Sequence, residues 1–130
     1  MSEFQKFSYD YFNIDLNKIT EYNFFMEIMK EIENLKSFKE AINNGISVVD
    51  FFAPWCSPCK AFSPIFEQFA ALNKQFNFIK IDIDAVGGIS NEYAILSIPT
   101  CIAFKNGKEI ARKVGLMSAV DFKFWLNDLA

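Results

Sequence analysis

The chain has 130 residues and a mass of 15.0 kDa, which is the size of a single domain. Hydrophobic residues make up 52% of it and charged residues 22%, so the composition excludes an intrinsically disordered protein. The net charge of −3 gives nucleic-acid binding no electrostatic support. The absence of histidine excludes Ser-His and Cys-His catalysis and the usual mixed Cys/His zinc sites.

Residues 1–26 differ from the rest of the chain and are predicted to be an N-terminal extension. The net negative charge lies within residues 1–28, which also carry eight aromatic side chains. Because exposing so many aromatic side chains to water is unfavourable, we expect the extension to pack against its own domain. Docking on a partner, dimerisation and a disordered tail are the alternatives that remain open.

The chain from residue 27 onward begins with a predicted strand, a helix and a second strand. Residues 27–32 are typical of a short strand. Asn34 is a suitable N-cap for a helix with a regular apolar face, and Asn44-Gly45 ends that helix. Residues 46–53 form an apolar run with two valines and two phenylalanines, which predicts a strand buried on both faces.

The middle of the chain predicts a long helix, a strand and a short helix. The long helix follows Cys59, and Pro64 is expected to kink it. Its buried face is predicted to carry Phe62, Ile65, Phe66, Phe69 and Leu72. Apolar and polar residues alternate within residues 76–83, which predicts a strand. Gly87-Gly88 then precedes a short predicted helix that ends near Tyr93.

The last third of the chain predicts a β-hairpin and a final helix. Strands at 100–105 and 109–114 flank Asn106-Gly107, which is the strongest short signal for a tight hairpin turn. Ser118 is a suitable N-cap for the final helix, with Phe122, Leu126 and Leu129 facing inward. The alternation of strands and helices predicts an α/β fold with three layers, in which helices flank a central mixed sheet.

Two cysteines, Cys56 and Cys59, lie at the predicted start of the long helix. The unpaired N–H groups and partial positive charge of a helix N-terminus stabilise a thiolate, so Cys56 is the predicted nucleophile. Cys59 is one turn further along, shielded, and close enough to attack a mixed disulfide at Cys56. A zinc or iron–sulfur site would need further ligands from Cys101 and a carboxylate, so we predict no metal and no cofactor.

These features together resemble the thioredoxin family over residues 27–130. The active-site segment carries the most specific match, Val49-Asp50-Phe51-Phe52-Ala53-Pro54-Trp55-Cys56-Ser57-Pro58-Cys59-Lys60. The other matches, in chain order, are Pro64, Lys80-Ile81-Asp82-Ile83-Asp84, Ile98-Pro99-Thr100, Phe104-Lys105-Asn106-Gly107 and Lys113-Val114-Gly115. The resemblance implies the three-layer thioredoxin fold for this domain and thiol–disulfide exchange at the two cysteines.

The resemblance also implies a proton-transfer pair beside the dithiol. Asp50 would accept and donate the proton of Cys59, and Lys80 would be the lysine partner of Asp50. The position of Asp50 in a strand buried on both faces predicts a raised pKa, because burial disfavours the charged carboxylate. The alternative is a solvated aspartate on an edge strand.

Four further residues are implied to bind the substrate. Trp55, Ile98, Pro99 and Gly115 would line an apolar groove for an extended substrate backbone, and Pro99 is expected to be cis. Plain packing is the alternative for Trp55. Two prolines are assigned structural roles, Pro58 in the first helical turn, where a missing N–H costs little, and Pro64 at the family's helix kink.

The chain departs from the family pattern at four positions. Ser57 replaces the usual glycine, Pro54 replaces a common acidic or small residue, and Phe52 stands where many members have a second tryptophan. Because these residues surround the dithiol, the resemblance does not fix the reduction potential of the Cys56–Cys59 pair. Cys101 is extra, and we favour a buried small hydrophobic residue over a regulatory thiol.

The resulting functional hypothesis is a protein-disulfide reductase that a thioredoxin reductase-type partner recycles. One alternative is an interaction module of the same fold that docks a partner through residues 1–26. Another is a disulfide oxidase or isomerase. The chain shows no secretory signal pattern and no apolar run long enough to span a membrane, which predicts a cytoplasmic protein with no membrane or nucleic-acid partner.

Overall fold

A central sheet of four strands organises the computed structural model, which describes residues 32–129. The elements are, in chain order, α1 (Leu35–Ala41), β1 (Ile46–Phe52), α2 (Ser57–Leu72), β2 (Asn77–Asp82), α3 (Ile89–Glu92), β3 (Thr100–Lys105), β4 (Lys108–Val114) and α4 (Ala119–Asn127). The predicted extension at 1–26 lies outside the described residues, as does the predicted strand at 27–32 apart from its last residue.

The sheet is mixed, as predicted, and its strand order is β2-β1-β3-β4. Strand β1 pairs in parallel with β2 and antiparallel with β3, and the β3–β4 hairpin is also antiparallel. Because β1 has a neighbour on each side and helices above and below, all five residues from Ser47 to Phe51 are buried. The prediction of a strand buried on both faces is confirmed.

Alternate residues of β1 point to two separate cores, one on each face of the sheet. Val49 and Phe51 pack into a core that includes Phe38 of α1, Ile89 of α3 and other apolar side chains. On the opposite face, Val48 packs with Phe62, Phe66 and Phe69 of α2 and with Phe122 of α4. Helices therefore cover both faces of the sheet, which confirms the three-layer α/β architecture.

The side-chain caps that the sequence suggested are present at both predicted helix starts. The backbone N–H of Ser37 donates to Asn34 Oδ1 over 2.9 Å at the start of α1. The N–H of Asp121 donates to Ser118 Oγ over 3.1 Å at the start of α4. Each cap satisfies a donor that the helix cannot pair internally.

The long helix α2 differs from its prediction at one end. It runs through Pro64, and Phe62, Phe66 and Phe69 are buried as expected. Leu72, however, is 44% exposed, so its placement on the buried face was wrong. It is the last residue of α2, and the chain turns away at the C-cap Asn73, which leaves one side of Leu72 open to water.

The hairpin between β3 and β4 forms the tight turn that its sequence predicts. Asn106 and Gly107 both have positive φ angles, 50° and 84°, as a two-residue type I′ turn requires. The register shifts between Ala103 and Phe104, where β4 carries one residue more than β3. Strand β4 starts at Lys108, one residue before the predicted strand.

Candidate active site

Cys56 and Cys59 lie at the start of α2, shortly after the end of β1. Cys56 is the N-cap of α2, and Pro58 lies in its first turn, where no backbone donor is needed. Cys56 and Cys59 form a disulfide with their Cα atoms 5.2 Å apart. The N–H of Cys59 donates to Cys56 Sγ over 3.2 Å, so the free donors of the helix N-terminus face the Cys56 sulfur.

Both cysteines are largely buried. Cys56 is 5% exposed and Cys59 is 2% exposed, and both pack against Ala53. Cys59 lies one turn into the helix, within bonding distance of the Cys56 sulfur.

The segment before β3 brings Ile98 to the dithiol and joins two other predicted groove residues, Pro99 and Gly115, to each other. The peptide bond between Ile98 and Pro99 is cis, as predicted. The carbonyl oxygen of Ile98 lies 3.8 Å from Cys56 Sγ, and the Ile98 side chain packs against the cysteine cluster. The N–H of Gly115 donates to the carbonyl oxygen of Pro99 over 2.8 Å, which ties the end of β4 to the same region.

Trp55 lies beside the dithiol and is 68% exposed, so plain core packing does not describe it. Its indole Nε1–H donates to Asp84 Oδ2 over 2.8 Å. Asp84 was not among the predicted site residues. A usable signal was present, because Asp84 follows β2 and the parallel strands β1 and β2 end at the same edge of the sheet.

Asp50 is completely buried in β1, on the sheet face that α2 covers. Neither carboxylate oxygen has a hydrogen-bond partner among the described residues. Burial raises its pKa to about 7, while the positive charge of Lys80 works in the opposite direction and the negative charge of Glu67 adds to the rise. The burial and the raised pKa are as predicted, and the solvated edge-strand alternative is wrong because β1 is an inner strand.

Lys80 is the β2 residue directly paired with Asp50 in the sheet register. Its ammonium bonds to two side chains of α2, donating to Ser63 Oγ and, over 3.1 Å, to Glu67 Oε1. It also lies 4.8 Å from the centre of the Phe52 ring, a cation–π distance. Ser63 and Glu67 were not predicted, although two polar residues four apart on an apolar helix were a detectable signal.

Cys101 is the β3 residue directly opposite Asp50. It is 2% exposed and packs in the core between the sheet and α2, which confirms the prediction of a buried side chain. Burial raises the pKa of its thiol well above the usual range, and the nearby Asp50 carboxylate raises it further. Both the burial and the raised pKa therefore disfavour the reactive thiolate form at neutral pH.

The described residues contain neither a membrane-spanning helix nor a cluster of metal ligands. No helix within residues 32–129 is both long and apolar enough to cross a membrane. In the same part of the chain, no group of three or more Cys, Asp or Glu side chains is arranged to hold a metal ion.

Known proteins resemble this chain in both sequence and structure. The family model described as Thioredoxin matches residues 27–128. Thioredoxin from Chlamydia trachomatis is 41% identical over 88 residues, covering 68% of this chain and 86% of its own. Thioredoxin from Mycoplasmoides gallisepticum is 42% identical over 96 residues, covering 73% and 96% of the two chains.

A solved structure of Plasmodium falciparum thioredoxin superposes with a TM-score of 0.72 at 31% identity, covering 76% of this chain and 97% of that one. The sequence similarity therefore extends to the fold, and the Cys56–Cys59 disulfide lies within the residues that match the family model. The chain belongs to the thioredoxin family and is a dithiol oxidoreductase with Cys56 and Cys59 as its redox pair.

Proposed function

We propose that this protein reduces disulfide bonds in other proteins. The observation that carries the proposal is the buried Asp50 on the face of the sheet beneath α2, the helix that begins at the dithiol. A carboxyl group with a pKa of about 7 gains and loses its proton at neutral pH. This is the property that a general base for a thiol requires.

In the first step, the Cys56 thiolate attacks one sulfur of the substrate disulfide. The substrate S–S bond breaks, a mixed disulfide forms at Cys56, and the first substrate sulfur leaves as a thiolate that takes up a proton. The free N–H groups at the start of α2 stabilise the attacking thiolate, because they carry partial positive charge.

In the second step, Cys59 gives its proton to the Asp50 carboxylate and attacks Cys56 Sγ. The mixed disulfide breaks, the Cys56–Cys59 disulfide forms, and the second substrate sulfur leaves as a thiolate that is protonated in turn. Two electrons pass from the dithiol to the substrate. The positive charge of Lys80 opposes part of the rise in the pKa of Asp50 that burial causes.

Substrate recognition is assigned to the apolar surface beside Cys56. Trp55 offers an exposed ring whose orientation its bond to Asp84 maintains. Ile98, Pro99 and Gly115 meet at the same edge and would receive an extended substrate backbone next to the attacking sulfur. Disulfide-containing proteins are therefore the proposed substrates.

The reaction leaves this protein oxidised, so it needs an electron donor. A thioredoxin reductase-type enzyme is the proposed partner, and the cytoplasm is the proposed compartment, since a reducing environment is where such a cycle runs. Family membership supports both assignments.

The test compares three cysteine variants in the reduction of insulin disulfides. Cys56→Ser should abolish activity, because no nucleophile remains. Cys59→Ser should accumulate a mixed disulfide with the substrate, because release from Cys56 needs the second thiol. Cys101→Ser is the matched control and should retain activity. A Cys59→Ser protein that captures no insulin chain would overturn the assigned order of attack.

The reduction potential of the Cys56–Cys59 pair separates a reductase from an oxidase. A reductase should lie near the value of about −270 mV known for thioredoxin, and a strong disulfide oxidant nearer about −120 mV. Equilibration with glutathione buffers of known ratio measures it. A value close to the oxidant would contradict the proposed direction of electron flow.

A further inference from the structure

Three polar side chains, Ser63, Glu67 and Lys80, form a connected cluster between α2 and β2. The Lys80 ammonium donates to both Ser63 Oγ and Glu67 Oε1. The ion pair is largely buried, with 11% of the Lys80 side chain and 8% of the Glu67 side chain exposed. Taking two charges out of water is costly, so a largely buried ion pair is weak evidence that the cluster stabilises the fold.

The cluster lies next to Asp50, which has no hydrogen-bond partner among the described residues. Lys80 is paired with Asp50 in the β1–β2 register, so the two side chains leave the sheet from neighbouring backbone positions. In this structure the ammonium instead bonds to the two α2 side chains. An ammonium brought against Asp50 would favour the charged carboxylate and weaken its hold on a proton.

We propose that Ser63 and Glu67 are positioning residues that hold the Lys80 ammonium on the α2 side, away from Asp50, so that Asp50 remains a proton acceptor at neutral pH. The inference rests on the proposed role of Asp50 in proton transfer and names the two residues that maintain this role. Two residues one helical turn apart accomplish this, because residues at i and i+4 lie on the same face of a helix.

The groups around Asp50 define what the test must control. Lys80 faces it from β2, Glu67 from α2 and the Cys101 thiol from β3. Cys56 and Cys59 at the start of α2 add two thiols in the reduced protein. Working on the oxidised protein removes both of these, because a disulfide does not titrate. Cys101 stays neutral throughout the relevant pH range, since its pKa is raised well above its usual value.

The expected shifts differ for the two variants. Ser63→Ala changes no charge, but it removes one of the bonds that hold the Lys80 ammonium. The ammonium can then move closer to Asp50, and we expect the pKa of Asp50 to fall by about half a unit. Glu67→Gln frees the ammonium and also removes a repelling charge, so we expect a fall of about one unit or more. Both shifts have the same direction.

The experiment titrates the carboxyl carbon NMR resonance of Asp50 in the oxidised full-length chain, with Asp50→Asn used to assign the resonance. Glu109→Gln is the matched control, because it removes a carboxylate from the surface ion pair with Arg112 on β4 and should leave the titration midpoint unchanged. If Ser63→Ala leaves the midpoint in place or raises it, the positioning role is wrong. This holds even if Glu67→Gln fails to fold.

The pH profile of insulin reduction then separates this inference from the proposed function. When the NMR midpoint and the activity profile both move toward lower pH, the positioning of Lys80 and the catalytic role of Asp50 are both supported. When the NMR midpoint falls but the activity profile does not move, the positioning of Lys80 is supported and the catalytic role of Asp50 is overturned. When the midpoint does not fall, the positioning role is overturned whatever the activity shows.

Discussion

At Asp50, the sheet and α2 together exclude water from a carboxylate that has no hydrogen-bond partner among the described residues. Ionising the Asp50 carboxyl is less favourable in the folded protein than in the unfolded chain, because burial removes the water that solvates the charge. The pKa of Asp50 therefore rises to about 7. The same burial that suits Asp50 to proton transfer therefore destabilises the fold at neutral pH. This trade between activity and stability can be measured at one residue.

We expect Asp50→Asn to be more stable than the natural protein at pH 7 by about 1–4 kcal/mol, and nearly equal to it at pH 4 once the fixed cost of the amide is subtracted. Between the unfolded pKa, about 3.9, and the folded value, the folded state binds more protons than the unfolded state. The stability of the natural protein therefore falls as pH rises through this window and levels off above it. Urea denaturation at both pH values measures the difference.

Comparing two pH values isolates the ionisation of Asp50, since an asparagine amide has the same burial cost at both. Asp121→Asn, which changes an exposed aspartate on α4, is the matched control and should show no such change. Insulin reduction by Asp50→Asn should be slower at pH 7. A variant with the natural pH dependence and unchanged turnover would remove Asp50 from the proposed mechanism.

Among the elements, the β3–β4 hairpin shows how a local turn also serves a tertiary contact. Asn106 has a φ of 50°, a conformation that asparagine tolerates better than most residues. Its side-chain Oδ1 accepts from the N–H of Gly45 over 2.8 Å, and its own N–H donates to the carbonyl oxygen of Gly45 over 2.9 Å. The turn therefore joins the hairpin to the loop between α1 and β1, 61 residues earlier in the chain.

We expect Asn106→Ala to lower the free energy of unfolding by about 1–3 kcal/mol, because alanine loses the side-chain bond and is strained at positive φ. Asn106→Gly is the matched control. It loses the same bond without the strain, so its stability should lie between those of Asn106→Ala and the natural protein. Chemical denaturation measures all three proteins. Equal stability of the alanine and glycine variants would show that backbone strain contributes nothing here.

At the scale of the whole molecule, all of the proposed site residues lie in the part of the chain that matches the family model, residues 27–128. We expect deletion of residues 1–26 to leave insulin reduction unchanged within about twofold, because none of the proposed site residues is removed. We also expect the melting temperature to fall. Aromatic side chains that become buried stabilise a fold at about 25 cal/mol per Å² of apolar area. The segment contains eight aromatic residues within residues 1–28, and we expect them to pack against the domain.

Scanning calorimetry and the insulin assay on the same shortened protein provide both measurements. An unchanged melting temperature would contradict packing of the extension against its own domain and favour partner docking. Loss of activity on deletion would place part of the redox function in residues 1–26. A scrambled sequence of the same composition, fused in place of residues 1–26, controls for length and charge.

The amino-acid sequence by itself determined the features that depend on neighbouring residues. Helix caps at Asn34 and Ser118, the turn at Asn106-Gly107 and the dithiol at the start of a helix all follow from local backbone chemistry, and each is present in the structure. The burial of Asp50 was also predictable, because its whole strand is apolar and lies in an alternation of strands and helices.

Only the tertiary structure decided which distant side chains meet. The strand register sets Lys80 and Cys101 on either side of Asp50, and the packing of α2 on that face brings Ser63 and Glu67 to the Lys80 ammonium. The pairing of Trp55 with Asp84 likewise depends on two strands ending at one edge of the sheet. Such contacts escape local patterns because they depend on strand register and helix packing, which are properties of the assembled sheet rather than of any one segment.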